Sequence, residues 1–347
     1  MEWPDETDLV KPHVNELGGE LRRRCKPVLP QQAQTSPQNR CMVIKRITHK
    51  LPDISAAPII PASIEASPAQ VLGASDLAGL FPQGVRVYLT DTGAASQDRL
   101  VEAAAHLRNL GYEPVPHLAA RRIPSSAAFV EQVRRLAGEA GVTDVLVVGG
   151  GVERPVGPFA SSMDMLSTGI FDRCGINQIA IAGHPEGSPD FNDDTAMAAL
   201  RLKRDFAERS DAAMRIVTQF GFDPARFIAW AEGLIASGIE LPVHIGVSGP
   251  AKITTLLKYA ALCGVGNSIA YLKKNALSLT TLARGHSPES IVGPIERHWQ
   301  ASPQGPIRQI HVFPFGGLQN SADWLVKRGS WQTGAADRAA SPDSRAG

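Results

Sequence analysis

The chain of 347 residues lacks the features that mark several large protein classes. Its four cysteines form no CxxC pair, which argues against a zinc ribbon or a thioredoxin-type site, and they are too scattered for a disulfide framework. No run of about 18 apolar residues predicts a transmembrane helix. The first residues are acidic, unlike a signal peptide. We therefore expect a cytoplasmic protein with no membrane partner.

The chain also lacks an excess of charge of either sign, since its formal net charge is only +1. A nucleic-acid partner would require a basic excess, so none is expected. The chain has no G-x-S-x-G elbow, no HExxH or H-x-H pattern and no P-loop. These absences argue against an α/β-hydrolase and leave metal binding only weakly supported.

The two ends of the chain differ from its middle. Residues 1–50 are rich in proline, glutamine, arginine and asparagine and show no sustained periodicity, which predicts a disordered N-terminal arm. Residues 333–347 are small and polar and predict a disordered tail. Residues 51–332 remain as a single catalytic domain.

Strand and helix patterns alternate regularly through that domain. Eight short apolar, β-branched runs predict strands at Ala62–Ser67, Arg86–Thr90, Glu113–Leu118, Asp144–Gly150, Gln178–His184, Arg215–Phe220, Pro242–Val247 and Gln309–Phe315. Helical patterns separate them, including Ser96–Leu110, Phe227–Ile235 and the long stretch Ile253–Leu282. We predict an α/β fold, a (β/α)8 TIM barrel, with extra helices between strands seven and eight. An open doubly wound sheet is the alternative.

In such a barrel the chemistry lies where the strands end at their carboxyl side. Glu65, in the strand sequence Ala-Ser-Ile-Glu-Ala-Ser-Pro, is the candidate general acid, because burial favours the protonated form of a carboxyl group. The alternative for Glu65 is a side chain on the helix-facing side or in an ion pair.

Two later strand ends carry further polar groups. His184 and Glu186 stand in a loop stiffened by two prolines, and they either orient a ligand or lie in an ordinary turn. Gln219 ends strand six, and its amide offers donors and an acceptor to the edge of a heterocycle such as a pterin. Phe220 and Phe222 either stack on such a ring or belong to the core.

Two weaker signals complete the set. Gly149, Gly150 and Gly151 form a turn after strand four in which backbone N–H groups could approach a phosphate, although an ordinary flexible loop has the same composition. His117 directly follows a run of strand-forming residues. A histidine at such a position is as often structural as functional.

Taken in order, these motifs resemble the methylenetetrahydrofolate reductase family over roughly residues 60–328. The motifs are Ser-Ile-Glu-Ala-Ser-Pro, Pro116-His-Leu118, the glycine turn, Gly183-His-Pro-Glu-Gly-Ser-Pro189, Leu202-Lys-Arg204, Thr218-Gln-Phe-Gly-Phe-Asp223 and His311-Val-Phe313. Each is weak alone, and their shared order is specific. The family's members are barrels, in agreement with the strand count.

The resemblance implies an activity and a set of roles. A nicotinamide, NADH or NADPH, would pass hydride through FAD to 5,10-methylenetetrahydrofolate and yield 5-methyltetrahydrofolate. Glu65 would be the acid, and the folate would meet Gln219, Phe220, Phe222 and Glu186. The cofactors would meet Thr90, His117, Gly149, Gly150, Gly151, His184 and Arg204. The partner is then a small molecule, reduced folate, and the family is commonly oligomeric.

Departures from the family pattern fall mainly on the flavin side. Gly151 stands where the family has an aspartate, His184 replaces a tyrosine, and Asp205 replaces a lysine near the cofactor phosphates. Three readings stay open: FAD bound differently, direct hydride transfer from the nicotinamide without FAD, and oxidation of methyl-folate in the reverse direction. A folate-binding barrel without redox activity and a folate-dependent methyltransferase are the competing classes.

Overall fold

The computed structural model describes residues 57–263, 265 and 287–332, all within Ala56–Gly347, the second of two units into which the chain divides. Eight parallel strands close into a barrel in chain order. They are β1 (Ala62–Ala66), β2 (Arg86–Leu89), β3 (Glu113–Ala119), β4 (Asp144–Val148), β5 (Gln178–Gly183), β6 (Ala213–Phe220), β7 (Val243–Ser248) and β8 (Ile307–Phe313).

Helices connect the strands on the outside of the barrel. The described helices are α1 (Pro68–Gly73), α2 (Gln97–Asn109), α3 (Ser126–Ala140), α4 (Ser162–Leu166), α5 (Ile170–Arg173), α6 (Asp193–Glu208), α7 (Pro224–Ala236), α8 (Ile253–Leu262), α9 (Glu289–Ala301) and α10 (Leu318–Arg328), with a 3-10 turn at Ala120–Arg122. Side-chain caps fix several helix starts. Ser96, Ser125 and Asn192 each accept a backbone N–H three residues on, which starts α2, α3 and α6 beyond the loops that follow the strands.

Asp223, the last residue of the Thr-Gln-Phe-Gly-Phe-Asp motif, has a structural role of the same kind. Its carboxylate accepts the backbone N–H groups of Ala225 and Arg226, and Pro224 occupies the first helical position of α7. The motif therefore holds α7 close behind the end of β6.

Alternation along each strand separates the inside of the barrel from the layer beneath the helices. Ile64 belongs to the large apolar cluster between sheet and helices, so its neighbours Ser63 and Glu65 face the inside. Tyr88, the strand partner of Glu65, belongs to a separate inner cluster, whose other buried members are Val115, Leu146, Ala180 and Val217. The barrel interior is thus a packed core, with polar side chains above and below it.

The predicted barrel is confirmed, and the open doubly wound sheet is wrong because β1 pairs with β8. All eight predicted strands are present, with ends that differ by about two residues. The predicted helix Ile253–Leu282 begins at Ile253, and its part beyond residue 265 lies outside the described residues, as do the predicted arm and tail. Within the described ranges, no helix has both the length and the apolar character needed to cross a membrane.

Candidate active site at the barrel mouth

Glu65 lies on the inner face of β1 near its carboxyl end, beside His311 of β8. Glu65 Oε2 is 3.2 Å from His311 Nε2. On the other side of the imidazole, Nδ1 is 3.0 Å from Ser63 Oγ, and Gln309 Nε2 donates to the same hydroxyl over 2.9 Å. His311 is fully buried, whereas the Glu65 side chain keeps 15% exposure. The carboxyl predicted as the acid is therefore open to the mouth and fixed from within by a buried imidazole.

The phenol of Tyr88 packs between the two histidines of this region. Its ring centroid is 4.4 Å from that of His311 and 6.1 Å from that of His117, both in edge-to-face arrangements. Burial raises the pKa of Tyr88 to about 12, although the Arg215 guanidinium opposes the shift. Tyr88 is accordingly neutral, and its buried ring packs beside Glu65, its partner on the neighbouring strand.

A buried charge network forms the floor below Tyr88. Arg215 donates to Tyr88 Oη over 2.7 and 2.9 Å and to Asp144 Oδ1 over 2.9 Å. Arg86 donates to Asp144 Oδ2 over 3.0 Å and to Gln178 Oε1 over 2.7 Å. Asp144 thus joins two guanidinium groups, and each buried charge has an opposite charge beside it.

His117 lies on the inner face of β3, near the carboxyl end of the strand. Its Nε2 atom is buried and has no hydrogen-bond partner among the described residues. Burial lowers the pKa of His117, while the charge of Glu65 acts in the opposite direction. The neutral ring is available for a ligand at the mouth, as the sequence predicted, and that role stays a prediction.

His244 is the buried histidine of β7, 5% exposed, and its Nδ1 atom lacks a hydrogen-bond partner in the described part of the chain. Burial, and then the positive charges of Arg215 and Arg86 and the neighbouring His311, lower its pKa well below 6.5. The folded protein therefore keeps His244 neutral, whereas the unfolded chain protonates it below its ordinary pKa.

That difference predicts a pH dependence of stability. As the pH falls below 6.5 the unfolded state binds the extra proton, so the free energy of unfolding decreases until the folded pKa is reached. Between about pH 7 and pH 5, the free energy of unfolding of wild type should therefore fall further than that of a His244→Asn variant. Urea unfolding of both proteins at the two pH values measures the difference. Equal losses would show that His244 does not resist protonation.

The loop between β5 and α6 is tied to the end of β6 and the start of α7. Gln219 Nε2 donates to the carbonyl of Gly187 over 3.1 Å, and Arg226 Nε donates to the carbonyl of Pro185 over 2.7 Å. Glu186, between them, is only 4% exposed. Two of the predicted folate-binding residues, Gln219 and Glu186, thus belong to one braced unit.

His184 opens the same loop. Its ring lies edge-to-face with Phe191 at 5.0 Å. Burial, followed by the charge of Lys203, lowers the pKa of His184 to about 4 despite the opposing Asp190. Burial also lowers the pKa of Lys203 to about 8. The imidazole is neutral at physiological pH, and Lys203 supplies a cation near it that sequence reasoning passed over.

Phe220 and Phe222, predicted to stack on the folate, are covered by other aromatic rings. Both are buried, and the ring of Phe220 lies 4.7 Å from Phe315 and 5.5 Å from Phe313. Tyr259 stacks on Phe315 at 4.3 Å and is the more exposed face of this group. The rings that close the mouth on this side are Phe313 at the end of β8, Phe315 just after it and Tyr259 of α8, with Phe220 and Phe222 behind them.

The glycine turn after β4 is held by Arg121. The Arg121 N–H donates to the carbonyl of Gly149 over 2.9 Å, and its guanidinium donates to the carbonyls of Val152 and Ala160. Gly150 has φ +89°, which favours glycine, and a Cβ built on Gly149 or Gly151 would meet no described atom within 4 Å. The turn therefore leaves room for a ligand to approach its backbone closely.

Thr90 follows β2 and lines a side cavity of about 140 Å³ at the start of α2. Asp91 and Arg122 lie in the same lining, 3.6 Å apart as an ion pair. The cavity is lined by charged groups of both signs, but the carboxylate of Asp91 and the guanidinium of Arg122 already neutralise each other.

Arg204 does not lie free to meet a ligand. Its guanidinium donates to Asp205 over 2.7 Å and to the carbonyl of Gly238 over 2.7 Å, and Glu208 is 3.6 Å away. Gly238 follows the carboxyl end of α7, so Arg204 braces two helix ends. The sequence Leu202-Lys-Arg204 alone did not reveal which of its two cationic side chains would be bound by neighbouring protein groups.

The structure brings Glu65 and His117 together around Tyr88, and it joins His184, Glu186 and Gln219 through one loop. Sequence reasoning gave His311 and Ser63 no role. One signal was available: Gln309 and His311 alternate on β8, as Ser63 and Glu65 do on β1, so each pair shares the inner face. Among the described residues, no group of three or more potential ligands is arranged to hold a metal ion.

Comparison with known proteins finds partial similarity. The chain is 36% identical over 88 residues to methylenetetrahydrofolate reductase 1 of Schizosaccharomyces pombe, which covers 25% of this chain and 14% of that protein. It is 25% identical over 157 residues to 5,10-methylenetetrahydrofolate reductase of Pectobacterium carotovorum subsp. carotovorum, covering 45% and 50%. Both curated relatives are methylenetetrahydrofolate reductases. The matches span half of their length or less.

No family model matches the chain. A solved structure from Clostridium thermocellum, a protein described as binding two copies of 5-methyl-5,6,7,8-tetrahydrofolic acid, superposes with a TM-score of 0.50. The match covers 78% of this chain and 94% of that one at 12% identity, which shows a shared fold. Local sequence similarity to the reductases and the barrel fold are thus established, and the activity of the whole chain is a matter for proposal.

Proposed function

We propose that this barrel transfers hydride between a reduced nicotinamide and 5,10-methylenetetrahydrofolate, giving 5-methyltetrahydrofolate, or runs the same reaction in reverse. One observation carries the proposal: Glu65 is an inward carboxyl open to the mouth, with one oxygen hydrogen-bonded to buried His311. The local similarity to two reductases supports the same assignment.

The chemistry requires a proton as well as a hydride. The five-membered ring of the substrate opens when the bond between the methylene carbon and N10 breaks, and N10 takes a proton. The methylene group, now an iminium at N5, accepts hydride from the nicotinamide and becomes a methyl group. Glu65 would deliver the proton as a general acid and recover it from solvent at the mouth.

The folate would lie over the braced loop between β5 and α6. Gln219 already donates one N–H to Gly187, so its remaining N–H and its carbonyl would meet the pterin edge. Glu186 lies in the same unit and would hold the loop in place beneath the ring. Tyr259, which stacks on Phe315 and is partly exposed, would offer an aromatic surface to the ring.

FAD is the cofactor that the resemblance implies, and the two residues at the positions assigned to its phosphates, Arg204 and Asp205, do not fit it. A diphosphate requires cations or free N–H donors. Arg204 is engaged by Asp205, Glu208 and the Gly238 carbonyl, and Asp205 adds a negative charge where the family carries a lysine. We therefore route no step through a flavin, and the proposed transfer passes directly from NADH or NADPH to the folate.

A direct assay tests the proposal. The full chain is mixed with NADH or NADPH and methylenetetrahydrofolate, with and without added FAD, while nicotinamide oxidation and the visible spectrum of the protein are recorded. Turnover by a colourless protein is the expected result. A flavin spectrum with FAD-dependent turnover would overturn the direct route, and folate binding without turnover would favour the non-redox folate-binding barrel.

Replacing Gln219 by alanine should weaken folate binding about 10-fold, because one or two hydrogen bonds to the pterin are lost. Nicotinamide affinity should stay unchanged. Gln319→Ala serves as the matched control, since Gln319 is exposed on α10 and bonds only to Asp323 among the described residues. Calorimetric titration with 5-methyltetrahydrofolate measures both variants. Equal folate affinity in wild type and Gln219→Ala would remove Gln219 from the site.

The proposed partners are accordingly small molecules. The net charge of +1 gives no basic surface excess for nucleic acid. The same assay, run with each nicotinamide, decides between NADH and NADPH.

A further inference from the structure

We propose that His311 is a positioning residue for Glu65, set in one orientation and one tautomer by a hydrogen-bond chain that runs from Gln309 through Ser63. The catalytic part of this proposal rests on the proposed function, whereas the tautomer does not. This hydrogen-bond chain crosses from β8 to β1, the two strands whose pairing closes the barrel, since Ser63 of β1 pairs in register with His311 of β8.

The direction of the chain follows from what each group can donate. The Gln309 side-chain nitrogen can only donate, so Ser63 Oγ accepts from it at 2.9 Å. The single hydroxyl proton of Ser63 is then free to donate to His311 Nδ1 at 3.0 Å. An Nδ1 that accepts leaves the ring proton on Nε2, which donates to Glu65 Oε2 at 3.2 Å.

Burial makes this chain an effective constraint. Ser63 and His311 are 1% and 0% exposed, so bulk water does not compete for their hydrogen bonds. The imidazole is also fixed by its ring neighbours, Tyr88 at 4.4 Å and Phe313 at 5.0 Å. With Oε2 held by Nε2–H, the proton that Glu65 delivers is carried on Oε1 and directed to the mouth.

The other histidine near Glu65 differs in this respect. His117 Nε2 has no hydrogen-bond partner among the described residues, whereas His311 uses both ring nitrogens. His117 is thus placed to meet a ligand, and His311 to hold the carboxyl that acts on it. A second His–Glu pair supplies a control outside the barrel interior: His298 Nε2 of α9 lies 3.4 Å from Glu232 Oε1 of α7.

Nitrogen NMR of the full chain with ¹⁵N-labelled histidine reads the tautomer without any substrate. His311 should carry its proton on Nε2, with Nδ1 as the unprotonated nitrogen. Ser63→Ala should remove the donor to Nδ1 and produce a mixture of tautomers. A wild-type His311 protonated on Nδ1 would overturn the proposed direction, with the Gln309 amide reversed. If the tautomer of His311 does not change in Ser63→Ala, the proposed role of the hydrogen-bond chain is overturned.

Kinetics test the positioning role. His311→Asn shortens the side chain and loses the donor to Glu65, so kcat should fall about 10- to 100-fold, with KM values for folate and nicotinamide changed by less than about 2-fold. His311→Gln places an amide N–H near the position of Nε2 and should restore part of kcat. His298→Asn should leave kcat unchanged.

The outcomes separate the two proposals. If wild type shows no hydride transfer, the proposed function fails and the NMR result alone decides the hydrogen-bond chain. If wild type is active and His311→Asn retains full kcat, or if His311→Gln is no better than His311→Asn, the positioning role is overturned. Circular dichroism and unfolding midpoints of both variants confirm that folded protein is compared.

Discussion

Replacing Glu65 by glutamine is expected to lower the rate of hydride transfer about 10²- to 10⁴-fold, the usual contribution of a general acid. Folate binding should be nearly unchanged, because glutamine has the same shape and its carbonyl can still accept from His311 Nε2. Single-turnover kinetics with methylenetetrahydrofolate measure the rate, and fluorescence or calorimetric titration measures the affinity.

Glu139→Gln is the matched control, because Glu139 is an exposed carboxylate on α3 that pairs with Arg135. Its rate should equal that of wild type. If Glu65→Gln keeps the wild-type rate, Glu65 is not the acid, and the assignment of the mouth around β1 and β8 fails with it.

The second large effect is structural. Replacing Asp144 by alanine is expected to reduce the free energy of unfolding by about 3–5 kcal/mol, because Arg215 is left as a buried charge without its carboxylate. Arg215 has only 7% of its side chain exposed, and among the described residues it would retain just the phenol of Tyr88 as a side-chain hydrogen-bond partner. Urea denaturation at neutral pH measures the loss.

Asp98→Ala provides the comparison, since Asp98 pairs with Arg135 on the surface and its side chain is 79% exposed. That change should cost at most about 1 kcal/mol. An Asp144→Ala loss no larger than that of Asp98→Ala would contradict the view that the floor beneath Tyr88 depends on charge compensation.

The fold was readable from the sequence because each strand is a short apolar run and the strands alternate with helical patterns. Val145, Val147, Ile179 and Ile181 show this in β4 and β5, where most residues are buried. Closure of the barrel followed from the number of such runs. Strand ends were less precise, because the residues that end a strand, such as Thr90 and Gly149, are set by loop contacts.

The site was readable only in part. The position of Glu65 on the inner face followed from alternation with Ile64. The partner of Glu65 did not, because His311 lies 246 residues away in sequence and meets Glu65 only through the β1–β8 register. Near Phe220 a register shift between β6 and β7 breaks the alternation, so its burial behind Phe313 and Phe315 could not be derived from spacing.

Arg204 shows a different limit. Its place in a motif predicted a cofactor contact, but the choice between ligand and neighbour depends on local competition. Asp205, one residue on, and the Gly238 carbonyl satisfy the guanidinium inside the protein. Lys203 remains half-buried beside His184, and no such balance is visible in the sequence alone.

The most direct test of the central claim is isotope transfer. The full chain is incubated with nicotinamide deuterated at its hydride position and with methylenetetrahydrofolate, and the folate product is analysed by mass spectrometry. The account predicts one deuterium in the methyl group of 5-methyltetrahydrofolate, with no dependence on added FAD. A methyl group without deuterium, or no methyl-folate at all, would contradict it.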